Sequence, residues 1–289
     1  MNKFALFLCL SIVVSAPGCK QEHEKTVTPL PNEEITLTDI AYGNHPQQKM
    51  DVYLSKNRNA STKIIVFIHG GGWYSGDKSE IKEGAVYFQQ QGYTFISINY
   101  RLTRTPENNI HPAQISDIGK VLDFIAGKNK EWSITDSRIA FFGGSAGAHL
   151  SLLYAYKYDA AKKVKAVISI SGPTDLTDSS IVIADIGGLS VKDLIESFIG
   201  EPITTNLKAW QDASPINYIS TASSPTFFIH GTNDHTVPYQ QSVSAYNKLK
   251  SLGVTTQLEP LPGVDHDLIG INWADVLPKI QNFVNSNTP

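Results

Sequence analysis

Ser145 sits in Gly143-Gly144-Ser145-Ala146-Gly147, a G-x-S-x-G pattern of the kind that places a serine for nucleophilic attack on an acyl carbon. An apolar run, 139–142, precedes the motif, and a helical pattern opening with His149-Leu150-Ser151 follows it. A strand–turn–helix elbow of this sort is so tight that only residues with little or no side chain fit beside the serine. It lifts the hydroxyl to a helix N-terminus, where developing negative charge is favoured. A second motif, His69-Gly70-Gly71-Gly72-Trp73, follows another apolar run at 64–68. Three glycines let backbone N–H groups turn towards one point. The tetrahedral oxyanion of acyl transfer needs such donors, and losing one costs about 3–4 kcal/mol. The N–H groups of Gly71, Gly72 and Ala146 are assigned to that oxyanion hole. No Lys-Ser/Thr follows the glycines, so a phosphate loop is disfavoured. Trp73, next in the chain, is expected to border the cavity that holds the acyl or alcohol group.

These motifs need a scaffold, and the pattern of the chain supplies one. Residues 35–42 and 49–54 read as two alternating strands joined by a turn at Gly43-Asn44-His45-Pro46. After them the apolar runs are continuous, at 64–68, 93–98, 139–142, 164–170 and 226–229, as strands covered on both faces require. Ile115, Ile118, Leu122 and Ile125 step by three or four and mark a helix between two of the runs. Another helix starts at Pro238, carries Tyr239, Val243 and Tyr246 on one stripe, and stops at Gly253. Strands alternating with helices predict an α/β fold with a mostly parallel central sheet flanked by helices. Sites in such sheets gather at the carboxyl ends of strands, which is where both motifs stand.

The two motifs, together with Asn99-Tyr100-Arg101-Leu102 and the longer stretch Gly143–Leu150, resemble the α/β-hydrolase superfamily. More narrowly, the chain is similar to the hormone-sensitive-lipase-like esterases and to the bacterial acetyl- and feruloyl-esterase group, from about Ile35 to the C-terminus. The resemblance implies a triad in the order Ser, acid, His. The acid then falls at Asp234, in the loop after 226–229, and the base at His266, after a strand at 256–261. His266 would take the Ser145 proton while Asp234 fixes its tautomer. Asp175, after an earlier strand, is the rival acid, and Asp265 and Asp267 flank His266 too closely to reach its Nδ1. His69, His149 and His230 read as structural, His235 lies in the wrong loop for a base, and His23, His45 and His111 stand in tether or loops without evident partners. Arg101 is read as a scaffold partner of Asp117. The stretch 173–215 lacks strand pattern and is expected to form a small cap or an acyl-pocket wall.

Composition narrows the rest. The chain has 289 residues and a net charge of -3, with no basic cluster, so nucleic acid is an unfavourable partner. Residues 1–18 carry a short basic start, an apolar stretch from Phe4 to Val14, and small residues before Cys19. This pattern resembles a bacterial lipoprotein signal. Cys19 is the expected lipidation site, 19–33 a flexible tether, and 34–289 the catalytic domain, so the chain would be exported and meet a membrane only through its lipid. With Cys9 and Cys19 the only cysteines, removal of the signal would exclude disulfides, thiolate metal sites and a cysteine nucleophile from the domain. No metal and no cofactor is expected. The implied activity is hydrolysis of short acyl esters by a serine carboxylesterase, acting on a small-molecule or oligosaccharide ester. An arylformamidase, another amidase or a small peptidase on the same triad is the alternative. A non-catalytic binding protein would ordinarily have lost one member of the triad.

Overall fold

The computed structural model describes residues 27–103, 108–181, 190–268 and 271–289. Cys19 and the 1–18 segment therefore lie outside the described residues, as do Gly187 and Gly188. The elements in chain order are β1 (Ile35–Ala41), β2 (Lys49–Leu54), β3 (Ile64–Ile68), α1 (Lys82–Gln90), β4 (Thr94–Ile98), α2 (Ala113–Gly127), α3 (Asn129–Trp132), β5 (Ile139–Gly144) and α4 (Ala146–Leu153). They continue with β6 (Val164–Ile170), α5 (Val191–Ile199), α6 (Leu207–Asp212), β7 (Thr226–Gly231), α7 (Gln240–Ser251), β8 (Thr256–Leu261) and α8 (Trp273–Asn287). The strands form one sheet in the order β1-β2-β4-β3-β5-β6-β7-β8. β2 runs antiparallel to β1 and β4, and every pairing from β4 to β8 is parallel. This is the α/β-hydrolase fold.

The continuous apolar runs are explained by the two cores. Ile64, Val66 and Ile68 of β3 face one side with Ile118, Val121 and Leu122 of α2 and Leu150 of α4. Ile65 and Phe67 face the other with Phe88 of α1 and Ile280 and Phe283 of α8. Alternation still operates, but both faces are dry, so no polar residue marks it. α4 is buried over all eight residues, Ala146 to Leu153, which is why it reads as apolar all round rather than as a stripe.

Two buried polar clusters fasten the connections of this frame. Asp117 of α2 is fully buried and takes a forked contact from Arg101, with Nη2 2.7 Å and Nε 3.0 Å away, together with the Gln48 side-chain amide at 2.6 Å. Arg58 is buried just after β2 and donates to the carbonyls of Leu30, Pro31, Glu33, Ser55 and Trp132. The chain is therefore fastened from Leu30 onward, so the last residues of the 19–33 tether belong to the fold. Because Ile35 pairs with Leu54 at the far end of β2, this attachment sits at the edge of the sheet opposite the carboxyl ends of the parallel strands.

Candidate active site

Ser145 is the single residue between β5 and α4, with φ 49° and ψ -121°. A non-glycine residue holds that conformation only where its surroundings over-determine it. Here the Ser145 N–H donates to Ile170 O at 2.8 Å, and Ser145 O accepts from His149 N–H at 3.0 Å. The turn closes because α4 presses directly on β3. A Cβ added to Gly147 would lie 2.0 Å from Ile68 O and 2.4 Å from His69 O. The small residues around the serine are thus an outcome of helix–strand contact.

His266 stands in the β8–α8 connection, with Nε2 3.0 Å from Ser145 Oγ and Nδ1 2.8 Å from Asp234 Oδ2. In that arrangement the serine hydroxyl donates to Nε2 and Nδ1–H donates to the carboxylate. Asp234, in the loop after β7, has its side chain fully buried, and its oxygens are saturated. Oδ1 accepts from Thr236 N–H at 2.9 Å and Val237 N–H at 2.7 Å, and His230 Nε2 lies 3.1 Å from Oδ2. Burial pushes the carboxyl pKa up. The hydrogen bonds from His230 and His266, the charge of His266 and the Val237 N–H outweigh that and hold it well below the usual carboxylate range. Asp265 joins the two loops: it accepts from His266 N–H at 2.7 Å and His235 N–H at 3.1 Å, and meets His235 Nδ1 at 3.0 Å. Asp175 is elsewhere, its Oδ1 accepting from the backbone and hydroxyl of Thr177.

The glycine loop approaches the elbow closely, since a Cβ on Gly70 would lie 3.3 Å from Ser145 Cβ. Gly71 has φ 91°, a value L-residues avoid, and the turn is closed by Ser75 N–H and Oγ–H on Gly71 O. Gly71 and Gly72 line the same cleft as Ser145, and Ala146 opens α4, whose first N–H groups have no carbonyl a turn before them. The loop is held from below by the N-Y-R-L stretch, in which sequence patterns assign a scaffold role to Arg101 alone, the partner of Asp117. Tyr100 Oη–H donates to His69 O and Gly70 O, its ring stacks on His69 at 4.3 Å, and Thr103 N–H donates to Trp73 O.

The cleft has a volume of about 630 Å³. Trp73 does not line it, which corrects the expectation. Its ring is 2% exposed, stacked on Phe198 of α5 at 4.7 Å, and its Nε1–H donates to His149 Nδ1 at 3.3 Å. His149 Nε2–H donates in turn to Ala213 O at 2.8 Å, and burial lowers the imidazole pKa to about 3, so the ring is neutral. The positive φ of Trp73, 59°, swings the side chain behind the loop instead of along it. The 173–215 segment follows suit: α5 packs behind Gly72 through Leu194 and against Trp73 through Phe198, and none of the described residues of the segment lines the cleft. His111 also differs from expectation. It is packed against Phe198, with Tyr158 Oη 3.4 Å from its Nε2, and His45 Nδ1 accepts from Gln47 N–H. The residues that do wall the cleft beyond the motifs, among them Phe142, Leu268 and Trp273, carry no sequence signal of that role.

Residues 50–249 match the BD-FAE family over more than half of the chain. The chain belongs to that family. Among curated proteins it is 28% identical over 250 residues to a probable carboxylic ester hydrolase, LipM, of Mycobacterium tuberculosis, covering 80% of this chain and 56% of that protein. It is 25% identical over 262 residues to a kynurenine formamidase of Danio rerio, covering 88% and 80% respectively. The chain thus spans little more than half of LipM but most of the formamidase. Among solved structures, a truncated carbohydrate esterase from gut microbiota superposes with a TM-score of 0.74 at 22% identity, over 89% of this chain and 99% of that one. That likeness is one of fold.

Proposed function

We propose that this family member is a serine carboxylesterase that hydrolyses short acyl esters through an acyl-enzyme, with acetyl or feruloyl groups on carbohydrate as the substrates its sequence resemblance suggests. The observation that carries the reading is the unbroken relay Ser145–His266–Asp234 beside a glycine loop at the carboxyl edge of the sheet. Ser145 Oγ attacks the ester carbonyl as its proton passes to His266 Nε2, and Asp234 stabilises the imidazolium. The oxyanion is received by the N–H groups of Gly71, Gly72 and Ala146. The intermediate collapses, the alkoxide leaves with the proton from His266, and a water activated by the same imidazole releases the acid and restores Ser145. The ester-hydrolase name of the 28%-identical relative supports this choice of bond.

Amide hydrolysis is the second reading, favoured by one observation, the match to a formamidase over 80% of that protein's length. Turnover of p-nitrophenyl acetate, a formanilide and a peptide anilide decides between them. Esterase activity is expected to exceed formanilide turnover by at least tenfold, and a fluorophosphonate is expected to label Ser145; the reverse ranking overturns the ester reading. The acyl group is short: the specificity constant on p-nitrophenyl esters is expected to peak at two to four carbons, roughly tenfold above decanoate. Cys19 is the lipid attachment site on this reading, and Cys19→Ser would release the protein from membranes without altering turnover of soluble esters.

A further inference from the structure

The alcohol leaving in ester hydrolysis must lie against His266 Nε2, because that nitrogen returns the proton to it. Asp267, Leu268 and Trp273 belong to the chain that follows His266 and line the cleft with it, so this wall is the alcohol side. Of the four tryptophans, Trp73, Trp132 and Trp210 are at most 2% exposed, whereas Trp273 is 37% exposed at the first position of α8. An indole open beside a cleft offers whatever occupies that cleft a broad apolar face with a polar N–H at its edge.

Trp273 also lines a second cavity of about 540 Å³, which shares Glu80, Ile81 and Phe142 with the cleft. Its remaining walls combine the apolar Phe88 and Leu277 with Ser79, Lys82 and Glu83. The Glu80 carboxylate is held in place by accepting from Asp77 N–H at 2.9 Å, which makes it a fixed acceptor at the junction of the two cavities. A simple alkyl alcohol extending there would strip water from these polar groups without replacing it. A sugar ring has apolar C–H faces and hydroxyl edges, and it matches both parts of the lining.

We infer that Trp273 is the platform on which a sugar ring of the alcohol half stacks, with a further sugar unit reaching into the second cavity past Glu80. The inference rests on ester hydrolysis at Ser145 of acyl groups carried by carbohydrate, and adds to it the side chain and the cavity that hold the sugar.

The test compares wild type, Trp273→Phe and Trp273→Ala on monoacetylated xylotriose and on ethyl acetate. The ratio of kcat/KM for the sugar ester to that for ethyl acetate is expected to fall about tenfold in Trp273→Ala, mainly through KM, and to stay within about threefold of wild type in Trp273→Phe. An unchanged ratio overturns the inference, as does a wild type that cleaves ethyl acetate and ignores the sugar ester; in both cases the esterase reading survives. If wild type cleaves neither ester and resists the phosphonate, the esterase reading fails instead. Calorimetry of Ser145→Ala with unacylated xylotriose then decides the subsite. Binding weakened about tenfold by adding Trp273→Ala sustains it; binding that is absent, or indifferent to Trp273, overturns it.

Discussion

Asp234 accepts from two backbone N–H groups on one oxygen and from His266 and His230 on the other. An asparagine offers only one acceptor oxygen, so Asp234→Asn must turn its amide N–H₂ on one of these donor pairs. If it faces His266, the ring adopts the tautomer with its proton on Nε2 and no longer serves as a base. We expect kcat on p-nitrophenyl acetate to fall by about 10³- to 10⁴-fold. Ser145→Ala, His266→Ala and the double variant are expected to share one residual rate, since the three residues act as a unit. Asp175→Asn should leave the rate within about twofold of wild type, and the opposite pattern would reassign the acid. Trp73→Phe removes the donor to His149 Nδ1 and leaves a buried acceptor unpaired, which costs about 1–3 kcal/mol in urea unfolding. Its activity should drop equally for acetate and decanoate, because the ring lies behind the loop and not in the cleft. The serine and the glycines were legible as motifs, whereas the direction of Trp73 was not. That direction follows from a positive φ that no pattern of residue types announces.

At the scale of elements, the elbow is where packing becomes chemistry. Gly147→Ala would drive a methyl into Ile68 O, so α4 must retreat from β3 and carry Ser145 with it. Overpacking of this kind costs about 1–3 kcal/mol, and phosphonate labelling of Ser145 should slow by at least tenfold. Gly92→Ala makes the contrast: its φ of 89° is one that L-residues avoid, but nothing lies within 4 Å of the added methyl. It should lose about 1 kcal/mol in the melt and label at the wild-type rate. The runs of apolar residues located the central strands because both faces of the sheet are covered. They stopped short at β5 and β7, where pairing continues through Gly143-Gly144 and His230-Gly231 although the apolar side chains have ended. The role of α5 was hidden for a different reason. Its apolar stripe says that it packs, and only the three-dimensional course of the chain says that it packs behind the glycine loop.

For the whole molecule, acid is the informative stress. Burial lowers the pKa of His111 to about 4 and of His149 to about 3, and it lowers His69 as well; Lys157 adds to the effect at His111. These imidazoles are neutral in the folded chain, while an unfolded histidine takes up a proton below about pH 6.5. Stability is therefore complete above 6.5 and is lost as pH falls towards the folded values. Urea unfolding between pH 6.5 and 4.5 should show a slope approaching roughly two to three protons taken up on unfolding. The Asp234 carboxyl, held low, adds its own loss only below about pH 4. A flat profile between 6.5 and 4.5 would mean that the buried imidazoles are not kept neutral by the fold. None of this was readable from eight histidines in a sequence, because burial, not spacing, sets it.

Arg58 gathers five carbonyl oxygens around one guanidinium, three of them from Leu30, Pro31 and Glu33. Whatever pulls on the chain ahead of Leu30 pulls first on that knot, at the end of the sheet opposite Ser145. A molecule held by its N-terminus, on a vesicle or a sensor chip, would present the cleft outward, with the length of the strands between support and substrate. Polymer too large to slip beneath an enzyme could then still reach the serine. Attachment through the other terminus would be less forgiving, since α8 begins with Trp273 at the mouth of the cleft and any strain along the helix arrives there.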